Sequence, residues 1–408
     1  MNQDILCSFL KGGELKKITV GYFYNNKDFG GPIVNIRNYT RYLDSERFLS
    51  VIFFSHRTAD IEAVIKEYNK SGIPVCFIPH MRPSISNKPV EYLKVFTEAP
   101  SVLNRMIKSI KENHIDIVHT NTIGDLQAMV AARIIGIPLV GTIREIYTKP
   151  RWATYMLSWL VYLLANKVTC VSNAVRDTMF PFAITQDKIS VIYNGINTDF
   201  YDPIKVNSSL RDEYGIQSHT KIIGIVGLLD PWKGQHIVLE SIPLVLKKHP
   251  DVIFLFVGGE SKKANAAGYR QKLCLRAQEL GIKNQVIFTG FREDIQNVLA
   301  GLNIFIHASI SPDPFPTTVL EAMSMEKPVI ASKLGGVLEQ VEDGKDGILI
   351  TPNNSEELAH ELDILLSNPV RAESLGKEGR LSVMKKFNWE RSINSLTEIY
   401  GDLFSHAK

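Results

Sequence analysis

Short apolar runs alternate with longer amphipathic stretches along this whole chain, and the alternation restarts midway. In the first half, Ile18–Tyr24, Val51–Phe54, Val75–Ile78, Ile115–His119, Leu139–Ile143, Lys167–Val171 and Ile189–Tyr193 predict strands. In the second half, Ile222–Val226, Val252–Val257, Val286–Thr289, Ile304–His307, Val329–Ala331 and Ile348–Ile350 do the same. Most are continuously apolar rather than alternating, which marks strands covered on both faces of a parallel sheet. Helical stretches such as Ile33–Leu43, Gln235–Lys248 and Tyr269–Leu280 separate them. This rhythm predicts an α/β chain of two doubly wound, Rossmann-like domains. The joint is expected in polar Asn197–Asp212, after the Asn194-Gly195 turn, giving domains 1–198 and 199–388.

In such sheets ligands sit beyond the carboxyl ends of the strands, so the polar motifs there carry the chemistry. Asp313 and Glu321 stand eight positions apart in Ser-Pro-Asp-Pro-Phe-Pro-Thr-Thr-Val-Leu-Glu-Ala-Met. Pro312, Pro314 and Pro316 force Asp313 onto an extended loop, and a helix begins after them. The first amides of a helix lack internal partners and favour an anion. Two carboxylates beside such a site suit the hydroxyls that flank a phosphate. Thr318-x-x-Glu321 also reads as a capping box, which would make Glu321 structural.

Other candidates also follow strands. Gly30-Gly31-Pro32 allows close backbone approach, although no GxGxxG fingerprint is present there. His119 and Asn121, and then Arg144 and Glu145, end first-domain strands, where sugar or acceptor contacts would fall. A lone histidine is also commonly a satisfied core residue, and Arg144 and Glu145 could pair with each other. Lys233 precedes the Gln235 helix and can meet a phosphate as a point charge. Gly258-Gly259-Glu260 and Gly335-Gly336 read as loops lining the cleft expected between the two domains.

Cys7, Cys76, Cys170 and Cys274 are scattered without a CxxC pair, which predicts reduced thiols and no zinc site. Residues 1–17 lack an apolar core, so no leader is expected. Residues 1–200 carry 23 Lys and Arg against 17 acids, while the remainder carries 23 against 26. A basic half favours an anionic membrane surface or a phosphate-bearing acceptor, although such an imbalance is also ordinary scatter. No nucleic-acid partner is expected. Trp152–Ala165, fourteen residues long, is too short to span a bilayer. It fits a buried helix of the first domain, the preferred reading, or an aromatic helix resting at a membrane surface.

The segments "VTCVSNAVRD", "KISVIYNGINTDFYDP", "IGIVGLLDPWKGQ", "FTGFREDI", "PDPFPTTVLEAM", "PVIASKLGGVLEQVEDGKDGILI" and "FNWERSINSLTEIY" occur in that order. Together they resemble the retaining glycosyltransferases of family 4, with the GT-B fold. The resemblance implies an acceptor-side first domain, a nucleotide-sugar-binding second domain, and a helix at about 389–405 that crosses back. It implies that Asp313, with Asp in place of the usual Glu, contacts donor-sugar hydroxyls, and that Glu321 holds the ribose. Phe315, Pro316, Thr317, Thr318 and Val319 match the loop whose amides meet sugar and phosphates. Lys233 matches the diphosphate lysine, Gly30 and Gly31 the closing glycine loop, and Arg292 the segment on the base. Asn121 stands where the family often has a donor-touching histidine. Leu228 replaces a phosphate-binding arginine, and Arg144 replaces a later histidine.

The expected reaction is transfer of a hexose from a UDP- or GDP-sugar to a glycan or lipid-linked acceptor, with retention, in cell-surface polysaccharide synthesis. Lys233, the helix amides and the glycine loop would stabilise the departing diphosphate, so no cofactor or metal is expected. No DxD pair exists to hold one. The expected location is cytoplasmic, with peripheral contact at the inner face of the membrane. Competing readings are an inactive nucleotide-sugar-binding subunit, a sugar-nucleotide epimerase and, against the missing GxGxxG, a nicotinamide-dependent oxidoreductase.

Overall fold

The computed structural model describes residues 10–11, 14–25, 30–79, 89–147, 150–181, 186–261, 263 and 266–406. Cys7, Lys149 and residues 1–9 lie outside the described residues. The chain forms two compact units, one of residues 1–193 with 390–408 and one of 194–389.

The first unit holds a seven-stranded sheet. Its spatial order is Val75–Phe77, Phe48–Phe54, Ile18–Tyr24, Ile117–Thr120, Leu139–Ile143, Lys167–Cys170, Ile189–Val191. Every neighbouring pair is parallel. The strand at Phe48 starts earlier than its apolar run predicts, because Ile18 pairs in register with Phe48. The six-stranded sheet of the second unit runs Val286–Gly290, Val252–Val257, Lys221–Val226, Ile304–His307, Val329–Ser332, Ile348–Ile350, again all parallel. In both sheets the first strand lies beside the fourth. The order reverses there and opens a crevice at the strand ends.

The change of unit falls at Tyr193, ahead of the expected joint. The Ile196 N–H donates to the Phe387 carbonyl at 2.8 Å, and Ile196 bridges Asn388. These contacts hold Asn197–Asp212 within the second unit. After Trp389 the helix Trp389–His406 rejoins the first unit, where Tyr400 and Phe404 are buried.

Helix Arg151–Leu164 corrects the buried reading of Trp152–Ala165. It buries Ala153, Thr154, Ser158 and Val161, whose small side chains let it lie close on the strand Leu139–Ile143, with Val161 over Gly141. Trp152, Met156, Trp159, Leu160 and Leu163 face outward. Among the described residues no helix is long and apolar enough to cross a membrane. Cys76, Cys170 and Cys274 are free thiols, and burial raises Cys170 to about 12.

Candidate functional site

At the switch point of the second unit, the loop after Lys221–Val226 faces the loop after Ile304–His307. The first loop carries Lys233 and the second Asp313. Lys233 Nζ donates to Asp313 Oδ2 at 2.5 Å, with little of either side chain exposed. The approach needs Gly234, whose φ is +74°. A β-carbon there would stand 1.8 Å from the Ala308 carbonyl oxygen, so only glycine lets the loops meet. His307 Nε2 lies 3.4 Å from Asp313 Oδ2 and 3.2 Å from Ser309 Oγ.

Burial pushes the Asp313 carboxyl up, but the Lys233 ammonium and the His307 contact outweigh it and hold the group well below the usual range. Burial keeps His307 below its ordinary value, against the pull of Asp313. At neutral pH Asp313 is therefore a carboxylate and His307 a neutral imidazole. From behind, Gly336 N–H donates to the Asp313 carbonyl at 2.8 Å. A β-carbon on Gly335 would stand 2.4 Å from that same carbonyl oxygen. Gly335-Gly336 thus packs on the Asp313 backbone and sets its path.

Helix Thr317–Ser324 begins immediately after this loop, with Pro316 at its N-cap and no side chain capping it. Its first amides therefore face the loop without an internal acceptor. Phe315 turns into the core against Phe387, and Val319 is fully buried, so both can serve a ligand only through their backbone. The Pro316 carbonyl accepts from Gln340 Nε2 at 3.0 Å. The expected capping box is absent: the helix starts at Thr317, which moves Thr318 inside the first turn. Glu321 instead bonds the Thr317 and Tyr201 hydroxyls, and burial, the largest influence, lifts it to about 7. Tyr201 is tied to this helix through its carbonyl, which accepts from Ser324 Oγ at 2.8 Å.

Residues 206–382 match the model for glycosyl transferases group 1, and residues 83–200 match that for Glycosyltransferase Family 4. The chain belongs to the group 1, family 4-type glycosyltransferases. Over 57% of its length it is 29% identical to spore coat protein SA of Bacillus subtilis, spanning 64% of that protein. It matches an uncharacterized glycosyltransferase of Methanocaldococcus jannaschii at 26% identity, over 64% of this chain and 66% of that one. The match thus spans just under two thirds of these curated relatives. UDP-Gal:alpha-D-GlcNAc-diphosphoundecaprenol alpha-1,3-galactosyltransferase of Escherichia coli is 24% identical over 84% of this chain and 89% of its own. Anabaena HepE, solved in complex with UDP-glucose, shares the fold with a TM-score of 0.79, at 24% identity, covering 94% of this chain and 100% of that one.

The candidate residues in the first unit fare unevenly. His119 is fully enclosed, with Nδ1 2.5 Å from Tyr400 Oη and Nε2 2.6 Å from Thr142 Oγ1. Burial, helped by Arg144, drops it to about 3, so it is a neutral core residue and not a sugar contact. Arg144 donates to Tyr39 Oη at 2.5 Å, and Glu145 turns back to accept the Arg144 backbone N–H. Asn121 differs: it is fully buried, and neither its amide nitrogen nor its oxygen has a hydrogen-bond partner. Gly30 is extended and Gly31 opens the helix Gly31–Tyr42. Among the described residues, a β-carbon at either would meet nothing nearer than 4.0 Å. The described residues therefore leave space beside both glycines.

Arg292 is held by side chains of its own unit. Its guanidinium is divided between Glu213, Asp294 and Tyr214, which fastens its loop to the helix Leu210–Tyr214. Phe291 next to it is 69% exposed and presents the free face of that segment. Leu228 is exposed as well. The Lys233 and Lys263 ammonium groups lie 4.1 and 6.0 Å from the centroid of the same Trp232 ring. His307, Ser309 and Tyr201 were not foreseen from sequence. His307 carried one available signal, as a polar residue ending an otherwise apolar strand.

Proposed function

We propose that this glycosyltransferase moves a hexose from a nucleoside diphosphate sugar, a UDP-sugar in the first instance, to a glycan or lipid-linked acceptor with retention at the anomeric carbon. The observation that carries this reading is the Lys233–Asp313 pair at the mouth of an uncapped helix that also bears Glu321. The ammonium and the helix amides suit a departing diphosphate. Asp313, kept ionised, suits donor-sugar hydroxyls, and Glu321 suits a ribose diol. Phe291 offers its ring to the base. Attack from the leaving-group side would let the departing phosphate take the acceptor's proton, so no protein base and no metal enter the scheme. The UDP-glucose complex of HepE and the UDP-galactose donor in the Escherichia coli relative's name support the choice of base.

Thermal-shift titration with UDP- and GDP-sugars tests the reading, because a ligand that binds only the folded state raises the melting point. A selective shift with one donor, followed by transfer to an acceptor, is the expected result. No shift with any donor would overturn it. Binding without transfer would mark a nucleotide-sugar-binding subunit, and release of free sugar an epimerase.

Lys263 is the natural substitute for the phosphate cation lost at Leu228, since it shares the Trp232 ring with Lys233. Lys263→Ala should weaken UDP binding by about three- to tenfold, the scale of one partly exposed charge–phosphate contact. Leu228→Arg in that variant should restore it. Isothermal titration with UDP reads both, and an unchanged affinity in Lys263→Ala would remove the assignment.

A further inference from the structure

The exposed face of helix Arg151–Leu164 is unusually apolar for a surface. Trp152, Met156, Trp159, Leu160 and Leu163 recur at helical spacing along one stripe, with Trp152 68% and Leu163 58% exposed. Ile134, 60% exposed, extends it at the end of the neighbouring helix Leu126–Ile135, where Arg133 donates to the Leu163 carbonyl at 3.3 Å. Contiguous apolar surface of this kind marks an interaction site, whereas scattered single residues do not.

The rim is cationic. From Asp125 to Lys188 the sequence carries seven Lys and Arg and four acids, of which Arg144 and Asp125 are buried. Lys188 Nζ lies 4.5 Å from the Tyr162 ring centroid, and Arg133 is near enough to disfavour its charge, after burial itself. Lys167 donates to the Asp187 carbonyl. Asp177 is occupied by its neighbour Arg176 at 2.8 Å, and Glu145 accepts from the Arg144 backbone. Asp187 is then set against Arg133, Arg151, Lys167 and Lys188. At the amino end of the helix, a hollow of about 240 Å³ is lined by Tyr147, Arg151, Tyr155 and Asp177, among others.

We propose that this face seats the protein on an anionic bilayer, with the Trp152–Leu163 stripe and Ile134 in the headgroup–acyl boundary and the four cations against lipid phosphates. Tryptophan favours that boundary because its ring is apolar and its N–H is polar. A second copy of the chain fits less well. A two-fold contact through this stripe would set one cationic rim against another. The proposal goes beyond the transfer reaction, and its failure would leave the donor site untouched.

The test is flotation of the full chain with phosphatidylcholine vesicles and with equimolar phosphatidylcholine–phosphatidylglycerol vesicles. Binding to the anionic vesicles, weakened by salt and accompanied by a blue shift of tryptophan emission, is expected. Arg133→Glu with Lys188→Glu should lower the bound fraction by roughly tenfold or more. Trp152→Ser with Trp159→Ser should do so in any salt. Because these side chains are outside the core, the melting temperature and UDP affinity should stay at parent values, which separates lost docking from lost folding. No association with anionic vesicles at low salt overturns the proposal. So does association that survives both double variants, or a dimer in light scattering that the tryptophan variant abolishes.

Discussion

Replacing Lys233 by alanine should lower turnover of a nucleotide-sugar donor by roughly a hundredfold to a thousandfold, the range seen when one preorganised group is withdrawn from a developing anion. The structure adds a second loss. Asp313 is buried and relies on Lys233 to stay ionised. Lys233→Ala therefore leaves a carboxylate without its cation, and stability should fall by about 2–4 kcal/mol. The two losses separate in a double-mutant cycle. Asp313→Asn alone keeps the ammonium and removes the buried charge. Adding it to Lys233→Ala should recover part of the melting temperature while recovering no turnover. Steady-state kinetics with calorimetry decides the matter. Turnover within threefold of the parent in Lys233→Ala would end the role assigned to this lysine, whatever happened to stability.

Glu321→Gln should act on binding and stability in opposite senses. The folded carboxyl sits at about 7, above the ordinary glutamate value of 4.5. The folded state thus holds the proton more tightly than the unfolded chain does. Its contribution to stability is fully present below about pH 4.5 and is lost as pH rises through about 7. Glutamine never ionises, so the variant should be more stable than the parent at pH 8 by about 1–3 kcal/mol, and by much less at pH 5. Under the proposed assignment of Glu321 to the ribose, nucleotide affinity should fall by roughly ten- to a hundredfold, because one anionic acceptor of two hydroxyls is gone. In the parent, UDP binding at pH 7 should release a fraction of a proton. Titrations in buffers of different ionisation enthalpy would show it. A variant less stable than the parent at pH 8 would contradict the burial of this carboxyl.

The sheets were legible because continuous apolar runs mark strands sheathed by helices. Runs such as Val252–Val257 and Ile304–His307 coincide with their strands residue for residue. The position of Asp313 after a strand and before a helix was equally readable from three prolines. Partnerships between distant residues were not. Lys233 and Asp313 are 80 positions apart, and His119 meets Tyr400 across 281. No local pattern reports that one histidine of a strand end is walled in while Asn121, two residues on, keeps a bare amide. The ion pair of Arg292 was hidden for the same reason, since Glu213 waits 79 residues upstream. Helix Arg151–Leu164 misled differently. Its buried side is small and partly polar and its outer side aromatic, an inverted amphipathicity that a hydropathy run records as a core helix.

The strand-like join between Ile196 and Asn388 gives the second unit a single doorway, through which the chain both enters and departs. In topological terms that unit is an insertion spliced into the first, and its two ends are already tied together. Such a module can be exchanged between relatives as one continuous stretch of coding sequence with two neighbouring seams. Lys233, Asp313 and Glu321 travel inside it. Asn121, Gly30 and Gly31 stay behind with the host. Recombination at those seams would therefore move Lys233, Asp313 and Glu321 as one set into a host that supplies its own counterparts of Asn121, Gly30 and Gly31.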